Sequence, residues 1–399
     1  MSALKNVNMK KTDIKISTMN AVIDESFQED SFWDAYTELW ENSLHKSVFQ
    51  APCFLRHLAD TCRNRIAVFK YCSPEGQLRG AVFFRKERMG YNLLSDIKSD
   101  HNFFVIHREC REEEIKAFFA LFFRELKMRN WALTLNNLAE WASYYQVFLE
   151  AGKQSNLFWL DTHYSICPVL ERETPELLPA NIEQSREHRI KTKKLIDEQH
   201  AVFEIFREEE DLDEWVNQFC KLHVERWKGT STPSKYAEKS NRVFLKECLK
   251  AWIKDGVLIR FSIKKGEERI AFVIGLLEGN ALIHHSTSYD AQYYKISPGK
   301  VLTYKIIQWM RKTGLNKLDF GEGGEDYKFM YTNTVYPLGR VFVSGKSNLT
   351  FILNAQLKKF KRSQLQNNPK LRKLYHEAIW PAGQKVKSMV FPFLPLDLF

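Results

Sequence analysis

Three carboxylates, Glu322, Glu325 and Asp326, fall in the short glycine-rich run Gly321-Glu322-Gly323-Gly324-Glu325-Asp326, which ends in Tyr327-Lys328. Side chains of these types suit the transfer of an acyl group to an amine. That reaction needs a base to take the amine proton, a hydrogen-bond donor for the carbonyl as it becomes an oxyanion, and an acid for the departing thiolate. Glu322 or Asp326 would be the base, Tyr327 the donor to the thiolate, and Lys328 the group that polarises a carbonyl or holds a phosphate. His284 and His285 stand side by side in an apolar stretch, so on a strand they point to opposite faces and one of them faces any cleft; His285 joins the list as a second base. The plainer reading of each is a solvated loop carboxylate or a structural pair, and the sequence does not choose among the carboxylates. No covalent intermediate is required, and the chain has no Gly-x-Ser-x-Gly, no Walker loop and no His-Glu-x-x-His.

The elements that must position these residues lie between Val257 and Asn333. Three strands are predicted, Val257 to Ile263, Arg269 to Leu277 and Ala281 to Ser288, joined by turns at Gly266 and Gly279. A polar loop leads to Ser297-Pro298-Gly299, where Ser is a favourable N-cap and Pro at the first helical position gives up an amide that would be unpaired anyway. The helix runs through Val301, Leu302, Ile306, Trp309 and Met310 to Gly314, and a strand at Lys317 to Phe320 empties into the glycine-rich loop. A helix N-terminus draws anions, so Tyr294, Ser297, Gly299 and Lys300 are the expected donor-binding residues, with Gly299 and neighbouring amides on a pyrophosphate.

Several short motifs in order, His223-Val224-Glu225-Arg226-Trp227, the Tyr294 to Gly299 loop, and Asp319-Phe320 followed by Tyr327-Lys328, resemble the BioF-type/CelD-like acyltransferases of the GNAT superfamily, relatives of the FemAB peptidoglycan aminoacyltransferases. The resemblance covers about Ser185 to Asn333. It implies acyl transfer from acyl-CoA, used as a co-substrate with no metal, to an amine such as an amino sugar or another precursor of cell-surface polysaccharide or envelope, in the bacterial cytoplasm. The superfamily's pyrophosphate loop, Gln/Arg-x-x-Gly-x-Gly/Ala, is met here only as Tyr294-x-x-Ser297-x-Gly299. Aminoacyl-tRNA, the FemAB donor, therefore stays open, as does a non-catalytic protein whose donor site has been lost.

Length and composition bound the rest. A chain of 399 residues, 44% apolar and 14% aromatic, has room for two cores. Met1 to Thr18 is polar and Lys-rich with no apolar stretch, unlike a secretory signal. Seven scattered cysteines suit a reducing compartment. Of the net charge of +10, most belongs to the tail, where ten Lys or Arg face two acids between Lys346 and Phe399.

Upstream, a helix at Asp30 to Asn42, a hairpin of Arg65 to Tyr71 with Leu78 to Phe84, a helix at Glu112 to Arg129 and a strand from Trp131 to Leu135 repeat in coarse form the order after Val257. The expected fold class is α/β (α+β), two GNAT-like halves, each a mixed, mainly antiparallel sheet flanked by helices, plus a basic C-terminal tail. The expected divisions are an arm at 1–20, a first half at 21–170, a linker and basic helix at 171–200, a second half at 201–345 and the tail at 346–399. The join is placed in polar, proline-broken Pro168 to Pro179. The helix from Ser185 to Gln199, with Arg186, Arg189 and Lys193 sharing a face, is either a solvated surface or a phosphate contact. Helices at Leu212 to Trp227 and Asn241 to Lys254 flank a loop near the site, and the strand Gly339 to Val343 is expected to close the second sheet. The tail, basic with interleaved apolar residues, fits packing on the body, an anionic membrane surface at the inner face of the membrane, or RNA.

Overall fold

The computed structural model describes residues 20–24, 29–62, 65–96, 99–177, 185–230 and 233–368. The arm expected at the N-terminus and the tail beyond residue 368 lie outside them.

One continuous sheet runs through the chain. Its first half begins with β1 (Asn20–Asp24), β2 (Ile66–Cys72), β3 (Leu78–Glu87) and β4 (Gly90–Leu93), neighbours in that order and antiparallel, with β5 (Val105–Ile106) also on β3. Helix α3 (Glu112–Met128) then crosses one face, and β6 (Ala132–Ala139) returns parallel to β4. The second half repeats the scheme. β9 (Leu258–Lys265), β10 (Glu268–Glu278) and β11 (Ala281–Tyr289) form an antiparallel meander. Helix α8 (Pro298–Thr313) crosses, and β12 (Lys317–Asp319) returns parallel to β11. A parallel pair needs a crossover, and in both halves a helix supplies it. This is the two-half mixed α/β architecture expected from the sequence.

Alternation along the strands sends side chains to opposite faces. Phe69, Val82 and Phe84 meet α3 and α4 (Tyr145–Gln154), whereas Val68, Ala81 and Phe83 point to the other side, where α1 (Asp30–Glu41) and α2 (Pro52–Thr61) lie. In the second half Phe272, Ile274 and Leu276 face α6 (Leu212–Trp227) and α7 (Lys239–Lys254), and Ala271, Val273 and Leu282 face α8. The cluster under α1, α2, α6 and α7 is one core shared by both halves. A carboxylate crosses the seam as well. Asp255 accepts from the Cys53 and Phe54 amides at 2.9 and 3.0 Å, capping α2 where Pro52 opens it.

Two expectations about connectivity change. The strand at Gly339–Val343 belongs to β13 (Thr334–Ser344), which lies between β6 and β7 (Phe158–Glu171) rather than closing the second sheet. The join expected from Pro168 onward begins later, because β7 continues through Pro168 to Glu171 and its last residues pair with β12. Proline gives up only a donor there, and the Pro168 carbonyl still accepts from the Phe320 amide at 3.0 Å. The far edge is β8 (Val202–Phe206), paired with β9. From the tail, α9 (Leu349–Asn367) sets Phe351 and Ala355 on Ala132 and Phe342. No helix among the described residues is long and apolar enough to cross a membrane.

Candidate functional site

β11 and β12 run together only from Ala281 to Ile283 against Lys317 to Asp319, after which they part. β11 goes on to Tyr289 with, among the described residues, a strand on one side only, so alternate backbone groups of that stretch face an opening. The chain after Asp319 turns the other way, the Gly323 amide bonding to the Ile166 carbonyl of β7 at 2.9 Å.

A β-bulge sits at the fork. Ile274 pairs with Ser286 and Gly275 with His284, which leaves His285 without a partner in β10. Bulges re-aim side chains and gather beside active sites. His284 and His285 point to opposite faces, as their adjacency requires: His284 stacks on Phe320 at 5.3 Å, while His285 meets Phe49 and Trp252 at 5.6 and 5.4 Å on the shared-core side. Burial lowers the His284 pKa to about 4 and keeps the ring neutral, and its Nε2 has no hydrogen-bond partner among the described residues.

His285 Nδ1 lies 3.2 Å from Asp100 Oδ2. The other oxygen of Asp100 accepts from the Glu322 amide at 3.0 Å, and the Glu322 carboxylate accepts from Asn137 Nδ2 at 2.8 Å. Burial raises the Glu322 pKa, and the Asn137 bond pulls it partly back. Gly321, at φ +68°, leaves room for this arrangement, since a Cβ there would lie 2.8 Å from the Asp100 carboxylate. Asp319 orders the turn by accepting from the Gly321 amide at 2.7 Å, and its own burial lifts its pKa to about 6.

Lys328, expected to meet substrate, is instead 4% exposed and committed to its own loop. Its Nζ donates to the carbonyls of Gly321, Glu322 and Gly323 at 3.2, 2.7 and 3.2 Å and lies 2.9 Å from Glu325. The residue positions Glu322. Tyr327 is partly exposed, its phenol raised to about 12 by burial and then by Glu325, with Arg226 acting the other way. Asp326 is exposed on the same loop, apart from the Asp100 network.

At the start of α8 the expected N-cap is altered. Ser297 has a left-handed φ of 55° and makes no side-chain cap. Its hydroxyl donates to the Tyr294 carbonyl at 3.2 Å and accepts from Lys191 Nζ at 3.0 Å. Pro298 has no amide, and those of Lys300 and Val301 bond to the Ser297 carbonyl at 3.0 and 3.2 Å, which leaves Gly299 as the open donor of the first turn among the described residues. Tyr294 is 67% exposed. Glu187 lies 2.6 Å from Lys191 and 3.2 Å from Lys300, and the two lysines hold its carboxyl down to about 2. From the basic helix, now α5 (Arg186–Thr192), it is Glu187 and Lys191 that reach this turn, while Arg186, Arg189 and Lys193 are exposed.

On the opposite side His285 lines a narrow cavity with Asp96, Lys235, Tyr236, Asn241, Cys248 and Trp252. The loop between α6 and α7 thus reaches the site, held by a 2.8 Å hydrogen bond between His223 Nδ1 and Ser234. Lys235 approaches Asp96 at 3.9 Å across the seam between halves. Burial pushes the Cys248 thiol pKa up, away from nucleophilic use.

Residues 183–329, which hold the fork, the bulge and the α8 turn, match the acetyltransferase (GNAT) domain family. This match relates the second half to the GNAT superfamily. Among solved structures the whole fold is similar to that of FemX, at 10% identity and a TM-score of 0.56, covering 80% of this chain and 98% of that one. It is also similar to the C-terminal domain of a putative lysylphosphatidylglycerol synthetase from Agrobacterium fabrum, at 10% identity, TM-score 0.53, and 84% and 95% coverage. A third likeness is to L-PGS from Bacillus licheniformis, at 11% identity, TM-score 0.53, and 81% and 96% coverage. No curated protein matches the chain in sequence. The fold is that of the GNAT acyltransferases, and the first half brings Asp96, Asp100 and Asn137 to the fork. These three were missed in the sequence because nothing local marks them; Asp100 and His285 are 185 positions apart.

Proposed function

We propose that this protein is an acyltransferase that moves an acyl group from an acyl-CoA thioester to an amine of a small molecule or glycan, an amino sugar or another precursor of cell-surface polysaccharide or envelope, on the cytoplasmic side of the membrane where acyl-CoA is found. The observation that carries this reading is the place of His285. It stands on a bulge at the fork of the GNAT domain, bound to Asp100, between a helix N-terminus with two lysines and a cavity on the other face.

The amine would approach the fork and give its proton to His285, with Asp100 steadying the ring, or to Glu322, whose raised pKa suits a base. Its nitrogen would attack the thioester carbonyl, the oxyanion would be met by amides of the one-sided stretch of β11, and the carbon–sulfur bond would break with Tyr327 as proton donor to the thiolate. Direct attack needs no enzyme nucleophile. The donor's phosphates would take the Gly299 amide, Lys191 and Lys300, displacing Glu187 from its two lysines.

A second reading, an aminoacyl-tRNA donor, is favoured by the α8 turn, where Gly299 is the one open amide among the described residues, a thinner grip than a pyrophosphate usually receives. A thermal-shift panel of acyl-CoAs and charged tRNA, repeated with Gly299→Asp, tests both. The substitution sets a carboxylate beside the expected phosphate and a Cβ 3.2 Å from the Tyr289 ring. Protection by acyl-CoA that falls at least tenfold in apparent affinity in the variant supports the first reading, whereas equal protection removes this turn from the donor site. Protection by charged tRNA alone, steeply salt-dependent, supports the second. No protection by either leaves a binding protein without a donor, because a bound ligand must raise stability by mass action.

A further inference from the structure

Helix α9 has two apolar faces, and only one is used. Phe351 and Ala355 pack on the sheet, but Leu349, Leu353, Leu357 and Phe360 are 66, 60, 66 and 63% exposed. At 100° per residue these four fall within an arc of about 80°, roughly opposite the packed face. Lys361 lies about 40° beyond one edge of the arc and Lys359 about 80° beyond the other. From Lys346 to Asn368 the chain has five basic residues and no acid, and five more follow against two acids before the C-terminus.

We propose that this face of α9 docks on an anionic lipid surface. An apolar stripe flanked by lysines suits a bilayer interface, where the stripe enters the acyl boundary and the cations stay among the headgroups. Charge decides against a second copy of the chain as occupant, because pairing two such helices, each with Lys358, Lys359, Lys361 and Arg362 and no acid, would bring eight like charges together. Side-chain type decides against RNA, since three of the four exposed residues are leucines, which offer bases no ring to stack on. The proposal does not depend on the acyltransfer chemistry, and its test does not measure it.

The full-length protein is to be sedimented with vesicles of phosphatidylcholine alone or mixed with phosphatidylglycerol, at low and high salt. It should bind the mixed vesicles, lose binding at high salt, and bind neutral vesicles at least tenfold more weakly. Leu353→Asp with Leu357→Asp should abolish binding. Lys359→Glu with Lys361→Glu should weaken it by more than tenfold, each cation near such a surface being worth about fivefold. All four positions are on the solvent side, and unchanged melting temperatures confirm that the variants fold. No binding to anionic vesicles overturns the proposal, as does equal binding by the Leu353/Leu357 variant. It also fails if sedimentation equilibrium shows a dimer that this variant dissolves, or if tRNA binds through the same residues while vesicles do not.

Discussion

Replacing Lys328 with methionine keeps most of the side chain's length and removes the ammonium that donates to the Gly321, Glu322 and Gly323 carbonyls. Three acceptors lose their donor at a position 4% exposed. A buried acceptor left unpaired costs about 1–3 kcal/mol. The low end applies, because Glu322 and Gly323 are partly exposed and because the variant no longer desolvates an ammonium. The ion pair with Glu325, whose side chain is 59% exposed, adds little. The sum is roughly 3 kcal/mol, or a fall in melting temperature of roughly 4 °C for the whole chain melting as one cooperative unit. Thermal unfolding at neutral pH measures it directly, and hydrogen exchange should show the 321–325 amides opening first. If Lys328 instead gripped substrate, Lys328→Met would raise KM and leave the melting temperature within a degree or two, and that outcome would refute the assignment of the residue to its loop.

Under the proposed chemistry, His285→Ala should lower kcat by about 10²–10⁴, and Asp100→Asn should lower it less with little change in stability, since the Asn oxygen can still accept from the Glu322 amide. If the pair acts as a unit, adding Asp100→Asn to His285→Ala should cost almost nothing further, so fully additive losses in kcat would separate the two residues. Glu278 gives a pH test of stability. It accepts from the Val48 amide at 3.0 Å, and burial raises its pKa to about 8. A carboxyl raised in the folded state binds its proton more tightly there than in the unfolded chain. Its contribution is therefore full below the unfolded value of about 4.3 and is lost as the pH rises through about 8. Glu278→Gln keeps an acceptor for Val48, so it should flatten the decline in melting temperature between about pH 5 and 8 and raise it at pH 8. Parallel curves for the two proteins would count against the burial of that charge.

Local patterns were legible where local physics decides. The meander from β9 to β11 alternates between two cores apart from its bulges, and Pro298 and Gly314 bound α8 as their backbone preferences require. The opposed faces of His284 and His285 follow from strand geometry. Ser297 shows the limit of a cap rule. The chain enters α8 from the turn at Ala291–Tyr293, which needs a left-handed residue at 297, so the hydroxyl swings back to Tyr294 instead of forward into the helix. The bulge at His285 was not legible either, because a register shift is a choice between two strands and β10 writes half of it.

The harder failure concerns which residues share a site, and its cause is the seam. β13 lies between β6 and β7, and β12 takes the end of β7 as its neighbour, so the second half borrows sheet partners from the first. The same pairing carries the loop before Phe103 over the fork, where the Asn102 amide bonds to the Asn137 carbonyl at 2.8 Å and Asp100 meets both His285 and the Glu322 amide. A carboxylate that touches two residues of the fork yet belongs to the other half cannot come from any motif within 183–329. It follows that the first half is more than a scaffold: a GNAT domain cut free of it would lose the partner of its histidine together with the strands that close its sheet.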